Sequence, residues 1–497
     1  MKNKVLTKLK NMPKEAKASF AYTICNIIQR SLSFITLPLF TRLLTTAQYG
    51  QYTIYTSWMS IFAIFITLEL PYGTFNTAMI KFKDDRDGYI SSAQTICSLF
   101  MTIFLFIYIP FNKQLSAFMD LPSYLIFLMA FEILFQSATT FWMGKKRFEF
   151  KYISVIVVTL LVSILGPTLA YILVVNSEER GYARILGCSI VVVIVGFSLY
   201  VLNYIRGKKA FNKEYWKYAL SFNIPLLIYY LAQMIFGQSD RLMINYFCGE
   251  DKAGIYGVAY NLGMILTFVL NAINNAYTPW VYNKINDKKP RDNRKISCYI
   301  SILIAVLLLF IIWMAPEIIY ILAGKAYMEA IWIVPPVAMS LLLLLYTQFS
   351  TNIEFLYKKK THLILASVGA AVVNIVLNYI FIPKWGYYVA GYTTLISYVI
   401  FAYGNYLCIR KYMKKGEDLH GLYNWKLLLL IFAVFMIAGA IGMALYNLII
   451  VRYAVMVIAA ILLFVFRKKI IQMVKNLKKK EIDNVPEDKE LIEETQE

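Results

Sequence analysis

The sequence predicts an all-α polytopic membrane protein with about 14 transmembrane helices, arranged as two parallel six-helix lobes plus two C-terminal helices. Three observations carry this. Apolar runs of about 18–24 residues follow one another along the chain, each long enough to cross roughly 30 Å of hydrocarbon as a helix. Lysine and arginine gather in alternate gaps between those runs, the asymmetry that orients multi-span proteins. Short motifs of the first half recur in the second at a nearly constant offset.

Composition agrees. Of 497 residues, 59% are hydrophobic and 16% charged, with a mean hydropathy of +0.57. Soluble domains carry about 45–50% apolar and about 25% charged residues. The formal charge is +21. Its placement argues against nucleic acid as a partner. Forty of the 50 Lys and Arg lie in the N-terminus, in alternate gaps or in the tail, and nine lie on the opposite side. Both termini are therefore expected in the cytoplasm of a bacterial inner membrane.

Spans are expected at 18–38, 51–70, 90–110, 121–143, 152–175, 183–204, 216–239, 254–277, 296–314, 329–350, 362–383, 386–408, 427–447 and 449–466. The plan is a basic cytoplasmic N-terminus at 1–17, an N-terminal lobe at 18–205 and a C-terminal lobe at 206–410. Two added helices at 411–466 and a charged cytoplasmic tail at 467–497 follow.

Span one follows a basic stretch, Lys2 to Lys17, as in a signal peptide. It contains Arg30 and ends in Pro38-Leu39-Phe40 without a small-residue cleavage site, so it is expected to be retained. Thr23, Asn26, Arg30 and Ser33 recur at helical spacing as one polar stripe. A charge at this depth is costly, so Arg30 is either an anion site facing a cavity or half of an ion pair with Glu69 or Glu132. Span two has Thr53, Thr56, Ser60 and Thr67 on one face, with Glu69 at its end; span four contains Glu132. Span seven presents Asn223, Tyr230, Gln233 and Gly237 on one face and ends in Asp240-Arg241. That pair is a structural lock, an ion-coupling site or a phosphate contact. Span eight carries Thr267, Asn271, Asn274, Asn275 and Thr278 before Pro279. Such amides can hydrogen-bond sugar hydroxyls or glue helices together. Glu354 ends span ten. The carboxylates Glu69, Glu132, Asp240 and Glu354 are ion-coupling candidates, with pairing or snorkelling as the plainer alternative.

The repeat is visible in three places. Tyr49-Gly50-Gln51-Tyr52 is matched by Gly254-Ile255-Tyr256-Gly257, 204 positions on. Gln136-Ser137-Ala138-Thr139 is matched by Gln348-Phe349-Ser350-Thr351, and Gly181-Tyr182 by Gly386-Tyr387. A unit of six spans, an even number, makes the copies parallel about an axis along the membrane normal. The polar stripes fall on spans one, two, seven and eight, the first pair of each copy. The six cysteines show no paired-ligand spacing, which argues against disulfides and metal sites, and two histidines leave little for histidine catalysis. No gap exceeds about 20 residues, which leaves no room for an extramembrane catalytic domain. An enzyme is not expected, and neither is a cofactor.

Phe40-Thr41-Arg42-Leu43-Leu44 followed by Ala47-Gln48-Tyr49-Gly50-Gln51-Tyr52 resembles the first-loop signature of the polysaccharide transporter family. Ser239-Asp240-Arg241-Leu242-Met243-Ile244, Ala253 to Tyr260, and Lys384 to Gly391 resemble its mid-chain signature and its entry to span twelve. The family belongs to the multidrug/oligosaccharidyl-lipid/polysaccharide exporter superfamily. The resemblance implies two lobes around a V-shaped cavity worked by alternating access. It implies a flippase for an undecaprenyl-pyrophosphate-linked oligosaccharide, the repeat unit of a capsule, O-antigen or exopolysaccharide. Membrane lipids, and the polymerase and glycosyltransferases of the pathway, are the other implied partners. Cationic cavity residues would meet the pyrophosphate: here Arg30, with Arg241 behind it. The contrasting expectation is a cation-coupled multidrug exporter of the same superfamily, in which Glu69 or Asp240 is essential.

Overall fold

The expected spans fall on helical segments in the computed structural model, which describes residues 14–357, 360–413 and 421–465. Among the described residues there is no strand. In chain order the helices are α1 Lys14–Leu43, α2 Thr46–Thr67, α3 Phe75–Lys81, α4 Arg86–Tyr108, α5 Asn112–Met119 and α6 Ser123–Phe148. There follow α7 Tyr152–Val175, α8 Arg180–Gly207, α9 Lys213–Cys248, α10 Glu250–Gly263, α11 Thr267–Asn286 and α12 Asn293–Trp313. The last are α13 Ala315–Leu322, α14 Val334–Leu356, α15 Lys360–Trp385, α16 Val389–Met413, α17 Trp425–Ala444 and α18 Ile449–Val465. Among the described residues, ten helical segments are long and apolar enough to cross a membrane, with α10 and α11 counted as one.

Local chemistry sets the boundaries. Thr45 starts α2 with a reciprocal capping box: its Oγ1 accepts from the Gln48 N–H, and Gln48 Oε1 accepts from the Thr45 N–H. Asp85 caps α4 through the Gly88 N–H at 3.1 Å, and Asn212 caps α9 through the N–H groups of Glu214 and Tyr215. Gly249, at φ +87°, turns the chain between α9 and α10.

Two spans differ from the sequence reading. α9 does not stop at residue 239 but runs 36 residues to Cys248, so Asp240-Arg241 lies inside the helix rather than at its end. The eighth span is not one helix: a 3₁₀ turn at Met264–Leu266 separates α10 from α11. A break at membrane depth is tolerated only where protein or a water-lined space receives the freed backbone groups.

The described residues fall into two compact units, one ending at Met436 and one beginning at Ile437. In the first, α8 is a hub that packs along α7, α6, α4 and α2, while α1 lies on α7. Further along the chain, α9 packs on α15, α15 on α16, α16 on α14 and α14 on α12. These two groups meet where α2 lies against α9 and α10. In the second unit, which holds the end of α17 and all of α18, the Arg452 guanidinium sits 5.3 Å from the Tyr453 ring centroid.

Candidate functional site

The contact between α2 and α10 is built from the repeat. Gly50 and Gly254, 204 positions apart, face each other's helices. A Cβ added at Gly50 would sit 2.1 Å from the Glu250 carbonyl oxygen; one at Gly254 would sit 2.1 Å from the Thr46 carbonyl oxygen. Thr46 and Glu250 are themselves 204 apart, so the contact is reciprocal, as across a two-fold axis. Backbone meets backbone, which glycine alone permits here. Polar pairs flank the seam: Thr46 Oγ1 donates to Asp251 Oδ1 at 2.5 Å, and Gln51 Nε2 to Glu250 Oε2 at 3.2 Å.

Beside the seam lies a cavity of about 380 Å³. Its wall comes from Thr36 and Leu37 of α1, Tyr49 and Tyr52 of α2, Arg184 of α8, and Asn261 and Leu262 of α10. The 3₁₀ break supplies Met264 and Ile265, and the start of α11 supplies Thr267 and Phe268. The break in the eighth span is therefore where that span opens onto a hollow. Arg184, 6% exposed, is stacked among three rings, its guanidinium carbon 3.7 Å from the Tyr52 centroid, 4.5 Å from Phe40 and 4.6 Å from Tyr49.

The expected site residues are distributed as follows. Asn26 and Arg30 lie on α1, and their side chains fall outside the described residues; the Arg30 backbone is two turns before Leu37 of the cavity wall. Asn271 and Asn274 continue the face of Thr267 along α11, at i+4 and i+7. They are engaged with α14: Gln348 Nε2 donates to Asn271 Oδ1 at 3.2 Å, and Asn352 Nδ2 to Asn274 Oδ1 at 2.8 Å. Asn275 is exposed and Gln233 half-buried. Asp240 and Arg241 turn to different neighbours. The Asp240 carboxylate accepts from Tyr256 Oη at 2.6 Å, Asn378 Nδ2 at 2.6 Å and Thr394 Oγ1 at 2.5 Å, so α10, α15 and α16 are all tied to α9. Arg241 donates to Gln238 Oε1 at 2.5 Å and lies 4.3 Å from the Tyr260 ring. Glu132 accepts from Tyr55 Oη at 2.7 Å. Glu69 and Glu354 are buried, Glu69 at φ +54° just past α2.

Arg184 and Asn261 were not singled out from the sequence. Arg184 had counted only as one of the nine charges on the side opposite the basic gaps, although it is the second residue of the apolar span expected at 183–204. That position was the available signal. Asn261 gave none.

The chain is a helical bundle in which paired helix groups meet beside a cavity, with one span broken at its wall. Solved structures with the same fold include a lipid flippase and multidrug transporters. The inward closed conformation of the lipid II flippase MurJ matches with a TM-score of 0.64 at 14% identity, over 87% of this chain and 99% of that one. The inward-facing conformation of a multidrug resistance MATE family transporter of the MOP superfamily matches with a TM-score of 0.60 at 15% identity, over 80% and 98%. A protein of the Lsg locus of Haemophilus influenzae is 23% identical over 62% of this chain and 77% of its own length. Residues 16–283, more than half the chain, match the polysaccharide biosynthesis protein family, and residues 225–380 match the MatE family. The chain belongs to the polysaccharide biosynthesis protein family and has the fold of the transporters of the multidrug/oligosaccharidyl-lipid/polysaccharide exporter superfamily.

Proposed function

We propose that this chain flips a polyprenyl-pyrophosphate-linked oligosaccharide across the bacterial cytoplasmic membrane by alternating access, with both termini in the cytoplasm and 14 crossings. The observation that carries this reading is the cavity of about 380 Å³ beside the α2–α10 seam. It lies within the roughly 300–1,000 Å³ of small-molecule sites, which suits a head group but not a long prenyl chain. Sugars and pyrophosphate would enter the cavity while the tail stays in lipid. The two lobes, 18–205 and 206–410, would rock about the seam. Arg30, with Arg241 behind it, would meet the pyrophosphate; Asn26, Gln233, Asn271, Asn274 and Asn275 would contact sugars. Of the ion-coupling candidates Glu69, Glu132, Asp240 and Glu354, Asp240 is the one whose donors come from three other helices, so a change in its charge would be felt across the second lobe.

The test is translocation of a lipid-linked oligosaccharide in vesicles holding the purified chain, with surface polysaccharide followed in cells. Arg30→Ala is expected to abolish export at normal protein level; normal export would remove Arg30 from the mechanism. The match of residues 225–380 to MatE favours a second reading, cation-coupled drug export. Dye efflux without lipid-linked sugar transport would establish that reading instead.

A further inference from the structure

The cavity holds a cation that the reading above leaves idle. Arg184 enters from α8, one turn after Arg180, and its guanidinium plane is fixed by Phe40, Tyr49 and Tyr52. Stacked rings satisfy the face of a guanidinium. Its five N–H groups lie in the plane and point out of the edge. Nε and Nη1 of Arg184 are buried without a hydrogen-bond partner. The ion pairs among the described residues do not include it. Arg241 also has a buried Nε without a partner, but its Nη1 donates to Gln238 and its side chain does not line the cavity. A charge buried at this depth with idle donors costs free energy that an acceptor would recover. The same side chain lines the cavity with Asn261 and Thr267, so the acceptor can arrive through the cavity.

We propose that Arg184 is an anion-binding group of this cavity, and that its ligand is an oxyanion carried by the transported molecule, a pyrophosphate or a sugar carboxylate. A guanidinium edge matches either group by paired N–H donors, which a lysine cannot reproduce. The ring stack has already ordered the side chain, so little orientational freedom remains to be lost when the anion arrives. The proposal rests on the translocation reading, which supplies the anion.

The experiment uses the full chain in detergent, with thermal unfolding as the binding readout. The probes are a polyprenyl pyrophosphate, the matching uncharged polyprenol and free glucuronate. Arg184→Gln is expected to weaken the anionic probe by roughly ten- to a hundred-fold and leave polyprenol unaffected. Arg184→Lys, which keeps the charge and folds if the glutamine variant does not, is expected to weaken it several-fold. Dependence on Arg184 for the pyrophosphate identifies the phosphate source, and for glucuronate the sugar. Binding of both anions by either variant as by the wild type overturns the proposal. Vesicle translocation separates it from the reading it rests on. Transport by the wild type and undiminished transport by Arg184→Gln sink the anion site and keep the flippase. Anion binding that depends on Arg184, in a chain that moves no lipid-linked sugar, does the reverse.

Discussion

Gly254→Ala should loosen the closure between α2 and α10. The new Cβ would stand 2.1 Å from the Thr46 carbonyl oxygen, and contacts of real Cβ atoms essentially never fall under 3.0 Å. The helices must therefore part by at least 0.9 Å at that point. Neither obstacle is a side chain that could rotate away, since both are backbone. Overpacking of this kind costs about 1–3 kcal/mol. If a closed and an opened seam are the two states of a transport cycle, that cost shifts their ratio by about 5- to 150-fold. The assay places Thr36→Cys in the cavity wall, with the native cysteines replaced, and measures its labelling by an impermeant maleimide. Gly254→Ala should accelerate labelling from the seam side by a factor in that range and lower the melting temperature. Gly50→Ala should act alike, and the two together should cost less than their sum, because one separation relieves both clashes. Unchanged labelling in either variant, at normal protein level, would refute the reasoning.

Three further outcomes follow from the geometry. Tyr55→Phe removes the donor to Glu132 and should destabilise the chain by about 1–3 kcal/mol, read by unfolding in detergent. Asp240→Asn puts an amide before three donors that need a carboxylate and should cost about 1.5–3 kcal/mol by the same measurement. Burial raises the Glu149 carboxyl, but hydrogen bonds from Lys151 and Lys146 and the Lys145 charge outweigh it and bring it down to about 2. A folded-state value below the unfolded one means stabilisation that is complete above the ordinary glutamate value of about 4.3 and lost as pH falls toward 2. The wild type should lose melting temperature through that window, and Glu149→Gln should show a flatter curve from a lower start.

The helices were legible because a run of about 20 apolar residues has few other ways to satisfy its backbone in hydrocarbon. The repeat was legible too, and Gly50 and Gly254, picked out as motif letters, turned out to be the contact itself. What stayed hidden depends on partners far away in sequence. The donors to Asp240 stand at Tyr256, Asn378 and Thr394, so no local window distinguishes a carboxylate so tied from a free one. The break at Met264–Leu266 has no proline to announce it, and helical spacing ran straight through it. Arg184 was passed over because loop charge counting has no term for a cation held under rings supplied by α1 and α2.

The reciprocal relation of Gly50 and Gly254 has an evolutionary corollary. Two halves of a duplicated gene are generally free to drift apart, each adapting to its own surroundings. At this one crossing they are not independent, because each half presses on the other's main chain with the same few atoms. A methyl group acquired by either copy harms both, and no compensating change of side chain is on offer. The halves should be least able to diverge here.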